Sequence, residues 1–381
     1  MIFDTITIVI CAVLVVLALL SSLLDTLYRK VRVDVSETDD PATPRCPVSV
    51  IIVADNNAEE LRTNLDSFLS QDYEPGYEVI VVVDKDEDGS SDILKAYAGR
   101  PNLYTTFVPD SSRYMSRRKL AITLGVKAAK NECILLTDAS CRPVSDKWIS
   151  AMSSKLSDGT DIVLGYSNYP EDAGRFKVFY RFHREYALFR EAIAGTAYGL
   201  AGNNIMFRKS MFMRENGFQG NLKYLRGEYD FLVNKYAIEG NVAVETSQDG
   251  FVEDFLFSKK DWHNKNLFYR ETRRHLSRSF AHRSAFNLDM LSLHICLLAS
   301  ICSAACAAVM QWWLVLPFSA VALIVPVVVR ILNAKRAMNM FGVDVPLWKV
   351  YPFELRMIWH NLRYAISYRF TDKYEFISHK S

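Results

Sequence analysis

Val48-Ser49-Val50-Ile51-Ile52-Val53-Ala54-Asp55-Asn56 is the stretch that decides the fold. Its run of mostly β-branched residues without polar alternation reads as a strand buried on both faces, ending in an acid and an amide. The same form recurs. Tyr77-Glu78-Val79-Ile80-Val81-Val82-Val83 runs into Asp84-Lys85-Asp86-Glu87-Asp88-Gly89, Tyr104 to Val108 makes a third strand, and Cys133-Ile134-Leu135-Leu136-Thr137 runs into Asp138-Ala139-Ser140. Between them lie stretches of helical spacing: Ala58 to Gln71, with Leu61, Leu65, Phe68 and Leu69 on one face; Asp92 to Ala98; and Lys119 to Ala129. Buried strands alternating with helices predict an α/β fold, a doubly wound and mostly parallel sheet.

Ligands of such sheets bind beyond the carboxyl ends of the strands. Asp55, Asn56, Asp84 and Asp138 all fall there. Asp, Asn and Gly also populate ordinary turns, but three acidic strand ends together favour a ligand. No GxGxxG or GxxxxGK[ST] pattern follows the first strand, so a dinucleotide or Walker-type cradle is not supported. Acidic strand ends suit a divalent cation that carries phosphates.

The remainder of the 381 residues bounds the setting. Lys+Arg total 45 and Asp+Glu 43, a net charge of +2 that argues against nucleic acid as a partner bound by bulk charge. The seven cysteines include no CxxC pair and are read as reduced thiols. Ile6 to Leu24 carries no charge and has the length of a membrane span. No basic region precedes it, and Tyr28, Arg29, Lys30 and Arg32 follow it. Leu288 to Val309 and Trp313 to Val329 read as a helical hairpin between Arg273, Arg274, Arg278 and Arg283 on one side and Arg330, Lys335 and Arg336 on the other. The basic flanks predict a multi-pass protein of the cell (inner) membrane, with the N-terminus outside and the middle of the chain cytoplasmic. The alternative is that the late runs are buried core helices. The expected organisation is an anchor at 1–32, a polar linker at 33–46, an α/β domain at 47–285, a transmembrane hairpin at 286–333 and an aromatic, basic tail at 334–381. That tail reads either as surface helices against membrane lipids or as packing on the α/β domain.

Six pieces, in order, resemble the family 2 glycosyltransferases, which have a GT-A fold: Ser49 to Asn56, Glu78 to Asp84, the helix segment from Lys119, Leu136 to Pro143, Ala201 to Arg208, and Gly227 to Leu232. The resemblance spans roughly Pro47 to Leu276. It implies that Asp55, Asn56 and Asp84 meet the nucleotide, with Asp84 on the base, and that Lys119 belongs to the donor site. It implies further that Asp138 and Ser140 stand at the DxD metal position, with Mg2+ or Mn2+ as the cation. Gly227-Glu228-Tyr229-Asp230 would hold the catalytic base, Asp230 first and Glu228 second, and Arg273 and Arg274 would meet the diphosphate or lipid head groups.

The chain departs from the family in three places. Ser140 replaces an acid, Tyr229 stands where the base pair usually continues, and Glu271-Thr272-Arg273-Arg274-His275 only loosely follows the Gln-x-x-Arg-Trp segment of processive enzymes. The implied function is inverting, nucleotide-sugar-dependent transfer, hexosyltransferase-like, to a membrane-associated, lipid-linked or glycan acceptor at the cytoplasmic face. The alternatives are a polyprenyl-phosphate sugar synthase and a catalytically silent, nucleotide-binding membrane scaffold.

Overall fold

A computed structural model describes residues 5–31, 46–85, 87–109, 116–255, 258–372 and 376. In chain order the elements are α1 (Thr5–Leu23), β1 (Val48–Asp55), α2 (Ala58–Leu69), β2 (Tyr77–Lys85), α3 (Ser90–Ala96), β3 (Leu103–Phe107), α4 (Arg117–Ala128) and β4 (Cys133–Asp138). There follow β5 (Cys141–Pro143), α5 (Trp148–Ser154), β6 (Ile162–Gly165), β7 (Ser167–Asn168), α6 (Arg175–Ile193), β8 (Ile205–Arg208), α7 (Lys209–Arg214), α8 (Glu228–Tyr236), β9 (Val242–Glu245) and β10 (Val252–Asp254). The chain continues through α9 (Lys259–His275), α10 (Phe280–Met310), α11 (Val315–Met340) and α12 (Leu347–Phe370). Asp86 and residues 33–45, most of the expected linker, lie outside the described residues.

The residues divide into two compact units, 31–277 with 364–381, and 1–30 with 278–363. The tail read as one segment from 334 is thus shared between them.

In the first unit the strand order is β3-β2-β1-β4-β8-β6-β9. β1, β2, β3 and β4 are parallel, whereas β8 runs antiparallel between β4 and β6. The β-branched runs earn their central places by burial: Val50, Ile51, Ile52, Ile80, Val81 and Leu135 have no exposed surface. Gly125 lets α4 approach β1, since a Cβ there would fall 2.7 Å from Ile51 Cγ2. A smaller sheet, β5-β10-β7, brings Asp254 to the end of β4.

The structure corrects the reading of all seven cysteines as reduced thiols, because Cys46 and Cys133 form a disulfide. Cys46 leads into β1 and Cys133 opens β4, and the register pairs Val48 with Cys133, so the two meet at neighbouring strand starts with Cα atoms 6.6 Å apart.

The second unit packs α1, α10 and α11 against one another around Cys11, Leu14, Ala18, Cys296, Ala307, Val315 and Ala322. These three helices are long and apolar enough to cross a membrane. Gln311, between α10 and α11, takes a left-handed φ of 57°. Small residues allow close helix approach, and Ser303 Oγ lies 2.8 Å from Ser319 Oγ. One fully buried cation, Arg330, donates to Glu354 Oε2 at 3.0 Å, to the Ser21 carbonyl at 3.1 Å and to Asp289. Asp289 also accepts from Thr26, and Asp25, 3.9 Å from Arg330, accepts from Asn333 at 2.8 Å.

Candidate active site

The first turn of α4 carries Arg117, Arg118 and Lys119. Cations at a helix N-terminus oppose the helix dipole, a cost of about 0.3–1 kcal/mol each at exposed sites, so they need partners elsewhere. Each finds a different one. Arg117 Nε donates to Asp84 Oδ1 at 2.6 Å. Arg118 pairs with Asp138 and lies 3.7 Å from Glu228 Oε2. Lys119 donates to the carbonyls of Tyr224 and, at 3.4 Å, Arg226, with the Phe231 ring 5.0 Å away. Burial draws the Lys119 ammonium down to about 8, Glu228 opposing and Arg226 assisting.

Three of these partners, Asp138, Arg226 and Glu228, line a cleft of about 530 Å³ at the carboxyl ends of β1 and β4. Asp55, Asn56, Asp138, Ser140, Glu228 and Asp230 line it. Asp84, Lys119, Arg273 and Arg274 do not. Asp84 is buried against Arg117. Arg273 donates to Tyr269 Oη at 2.9 Å, and Arg274 to Tyr368 Oη at 3.2 Å. Asn56, at a left-handed φ of 54°, accepts from the Glu87 amide at 3.1 Å and so ties the ends of β1 and β2 together.

Asp138 accepts from Arg118 and, at 2.7 Å, from the Tyr229 hydroxyl. Burial raises its carboxyl, with Arg118 and Tyr229 opposing. Tyr229, which the sequence marked as a departure, therefore reaches across to the DxD segment. Ser140 Oγ donates to Asp254 Oδ1 at 3.1 Å, and Asp254 also accepts from Lys265 at 2.8 Å and Asn203 at 3.3 Å. Burial raises the Asp254 carboxyl, but Lys265 and then Arg181 outweigh it and hold it below its usual range.

Asp138, Ser140 and Asp254 are hard oxygen donors, the chemistry that Mg2+ and Mn2+ take. Among the described residues no group of three His, Cys, Asp or Glu converges on one point. A cation here would take Asp138, with Ser140 beside it, and complete its shell from phosphate and water.

α8 carries Glu228 and Asp230 in its first turn. Gly227 caps it at a φ of +92°, and a Cβ there would fall 2.4 Å from Thr272 Cγ2. Glu228 and Asp230 point to different partners, Glu228 toward Arg118 and Asp230 toward the Leu200 amide at 3.2 Å. Both line the cleft. Burial pushes the Asp230 carboxyl up to about 6 against Arg184, the Leu200 amide, Arg273 and Arg181. Burial likewise takes Glu185, on α6, up to about 7 against Arg181 and Arg184.

The sequence reading missed Arg118, Arg181, Arg184 and Lys265, all on the cleft wall. Arg118 lies one residue before the lysine that was singled out, a step of about 100° around a helix. The others sit in α6 and α9, whose long-range partners leave no local motif.

The glycosyl transferase family 2 sequence profile matches residues 49–214. No curated protein matches the chain. Among solved structures, the mannosyltransferase PcManGT from Pyrobaculum calidifontis, in complex with GDP-Man and Mn2+, is 18% identical, with 96% of this chain and 98% of that one covered at a TM-score of 0.54. S. aureus TarS 1-349 is 16% identical over 84% of this chain and 92% of that one, at a TM-score of 0.42. Glucosyl-3-phosphoglycerate synthase from Mycobacterium tuberculosis, in complex with Mn2+, UDP and phosphoglyceric acid, is 12% identical over 60% of this chain and 76% of that one, at a TM-score of 0.42. At such identities the likeness is one of fold, and the mannosyltransferase shares it over nearly the whole chain. Residues 49–214 thus carry a glycosyl transferase family 2 region, in a chain with a GT-A-like fold, acidic strand ends opening on one cleft and three helices long and apolar enough to cross a membrane.

Proposed function

We propose that this enzyme transfers a sugar, with inversion, from a nucleotide-sugar to a membrane-associated or glycan acceptor. The observation that carries the reading is that Asp138 and Asp230, held by different partners, line the same cleft. The donor diphosphate would lie at the Asp138 end, where Arg118 and Arg226 supply positive charge. If a divalent cation binds there, Asp138 and Ser140 would hold it, and it would neutralise charge on the leaving diphosphate as a Lewis acid. Asp84, off the cleft wall, is assigned to the base by resemblance alone.

Asp230 is the preferred general base. A carboxyl pushed up to about 6 is poised near neutral pH, whereas Glu228 faces the Arg118 cation. The acceptor oxygen attacks the anomeric carbon, the bond to the diphosphate oxygen breaks with its electron pair, and the acceptor proton passes to Asp230. The test is a screen of purified protein against nucleotide sugars, reading released nucleotide and labelled acceptor. Release that survives unchanged in Asp230→Asn overturns the base assignment.

One observation favours a phosphorylated lipid acceptor, making the enzyme a polyprenyl-phosphate sugar synthase. Arg181, Arg184 and Lys265 line the cleft and suit an anion. Label appearing on a lipid phosphate rather than on a glycan hydroxyl would select this reading.

We place the catalytic part at 47–285 on the cytoplasmic side of the cell membrane, on the sequence division alone. The basic flanks support that side. The Cys46–Cys133 disulfide favours the other, since disulfides persist in oxidising compartments. A reporter fused at residue 100 decides between them.

A further inference from the structure

The segment from Tyr224 to Asp230 brings three residues to the cleft wall that the proposed chemistry uses: Arg226, Glu228 and Asp230. It is a loop until Glu228, so its backbone groups need partners outside it. Three carbonyls find them on the first turn of α4 and its cap. Lys119 takes those of Tyr224 and Arg226, and Ser116 Oγ donates to that of Leu225 at 3.1 Å. The Leu225 amide goes elsewhere, donating to the carbonyl of Phe376 at 3.1 Å.

Phe376 is 2% exposed, although it lies near the end of the chain. Its ring meets Phe268 edge-on at 5.4 Å and Tyr368 at 5.4 Å, in a cluster with Leu267 and Tyr364. Phe268 itself lines the cleft. Tyr368 is tied to α9, accepting from Arg274 and donating to Glu271. Phe376 thus meets one cleft residue, Phe268, and is bonded to the neighbour of another, Arg226, through the Leu225 amide.

We infer that Phe376 is a positioning residue for the transfer: packed with Tyr364 and Tyr368, it straps the Tyr224–Asp230 segment and so sets where the acceptor-side base stands. The inference rests on the reading that α8 carries that base. It requires no contact between the tail and substrate.

Full-length Phe376→Ala is the test, with Phe376→Tyr as the variant that keeps the ring. Hydrogen exchange reports the strap directly and needs no substrate. The Leu225 amide should exchange at least about tenfold faster in Phe376→Ala. Turnover should fall about tenfold because the base is displaced, with donor affinity, which Arg226 on the same segment also serves, falling by clearly less. Phe376→Tyr should restore both. Should Phe376→Ala fail to fold, Tyr368→Phe, which loses only the hydroxyl ties to α9, should show the same pattern at smaller size. An unchanged Leu225 exchange rate overturns the inference, as does faster exchange with unchanged turnover, or donor affinity falling in step with turnover. Failure of the base assignment shows separately, as an Asp230→Asn variant that keeps its rate.

Discussion

Two arginines are the centres of two carboxylate clusters, one in each compact unit. Arg118 meets Asp138 and Glu228; Arg330 meets Asp25, Asp289 and Glu354. The chemistry is alike and the surroundings differ. Arg118 lines an open cleft, where a phosphate can compete for its donors. Arg330 has no exposed surface, and its donors are divided among Ser21, Asp289 and Glu354, on separate stretches of chain. The cleft arginine can exchange partners during a reaction cycle. The bundle arginine cannot do so without opening the helices, so on the proposed function the same pair of residue types would serve binding in one place and assembly in the other.

The largest expected effect is on the bundle. Arg330→Leu leaves Asp25, Asp289 and Glu354 without their shared cation, and breaking a buried pair typically costs about 3–5 kcal/mol. Detergent-purified protein should lose most of its folded yield, read by size exclusion and thermal unfolding. Arg118→Ala should fold normally. If the two variants lose the same stability, the distinction between the clusters collapses.

Next comes turnover. Asp230→Asn should lower it by about a hundredfold or more, with donor affinity intact, and Glu228→Gln should do less. The reverse order would move the base to the acid beside Arg118.

Donor binding follows. Asp138→Ala should abolish cation-dependent nucleotide binding in calorimetry, and Asp84→Ala should only weaken it. An Asp138→Ala variant that binds like wild type removes the donor end from this cleft.

The smallest effect is in pH dependence. With its carboxyl raised to about 6, Asp230 must lose its proton to act, so turnover should rise through pH 6. The same shift lowers stability as pH climbs from about 4 to 6, because the folded state there binds more protons than the unfolded chain. Asp230→Asn should reduce that slope in a series of melting temperatures, leaving the part that the raised carboxyls of Glu185 and Asp138 contribute.

The sheet was legible because its signal is local. β-branched runs announce buried strands wherever they occur, and the acids at their ends were visible as acids. What those acids touch was not. Asp138 is satisfied by residues at 118 and 229, and Ser140 by an acid at 254; each pairing depends on how separate strands and helices come together. The same holds for Cys46 and Cys133, which only the register of β1 on β4 brings into reach. The antiparallel placement of β8 left no sequence signal of its own, since Ile205-Met206-Phe207 reads as a strand in either direction.

The division of the chain into units has a consequence for inheritance and grafting. The polypeptide passes from one unit to the other after residue 30, after residue 277 and after residue 363, and the last passage falls inside α12. A recombination event or an engineered exchange that moved the catalytic unit whole would have to join at three seams, one of them within an unbroken helix. A single cut after Ser277 carries away the sheet, the cleft and α9 while leaving Tyr364, Tyr368 and Phe376 behind. Catalytic and membrane parts of such a chain are therefore expected to descend together, and specificity to change by substitution within the cleft more readily than by exchange of modules.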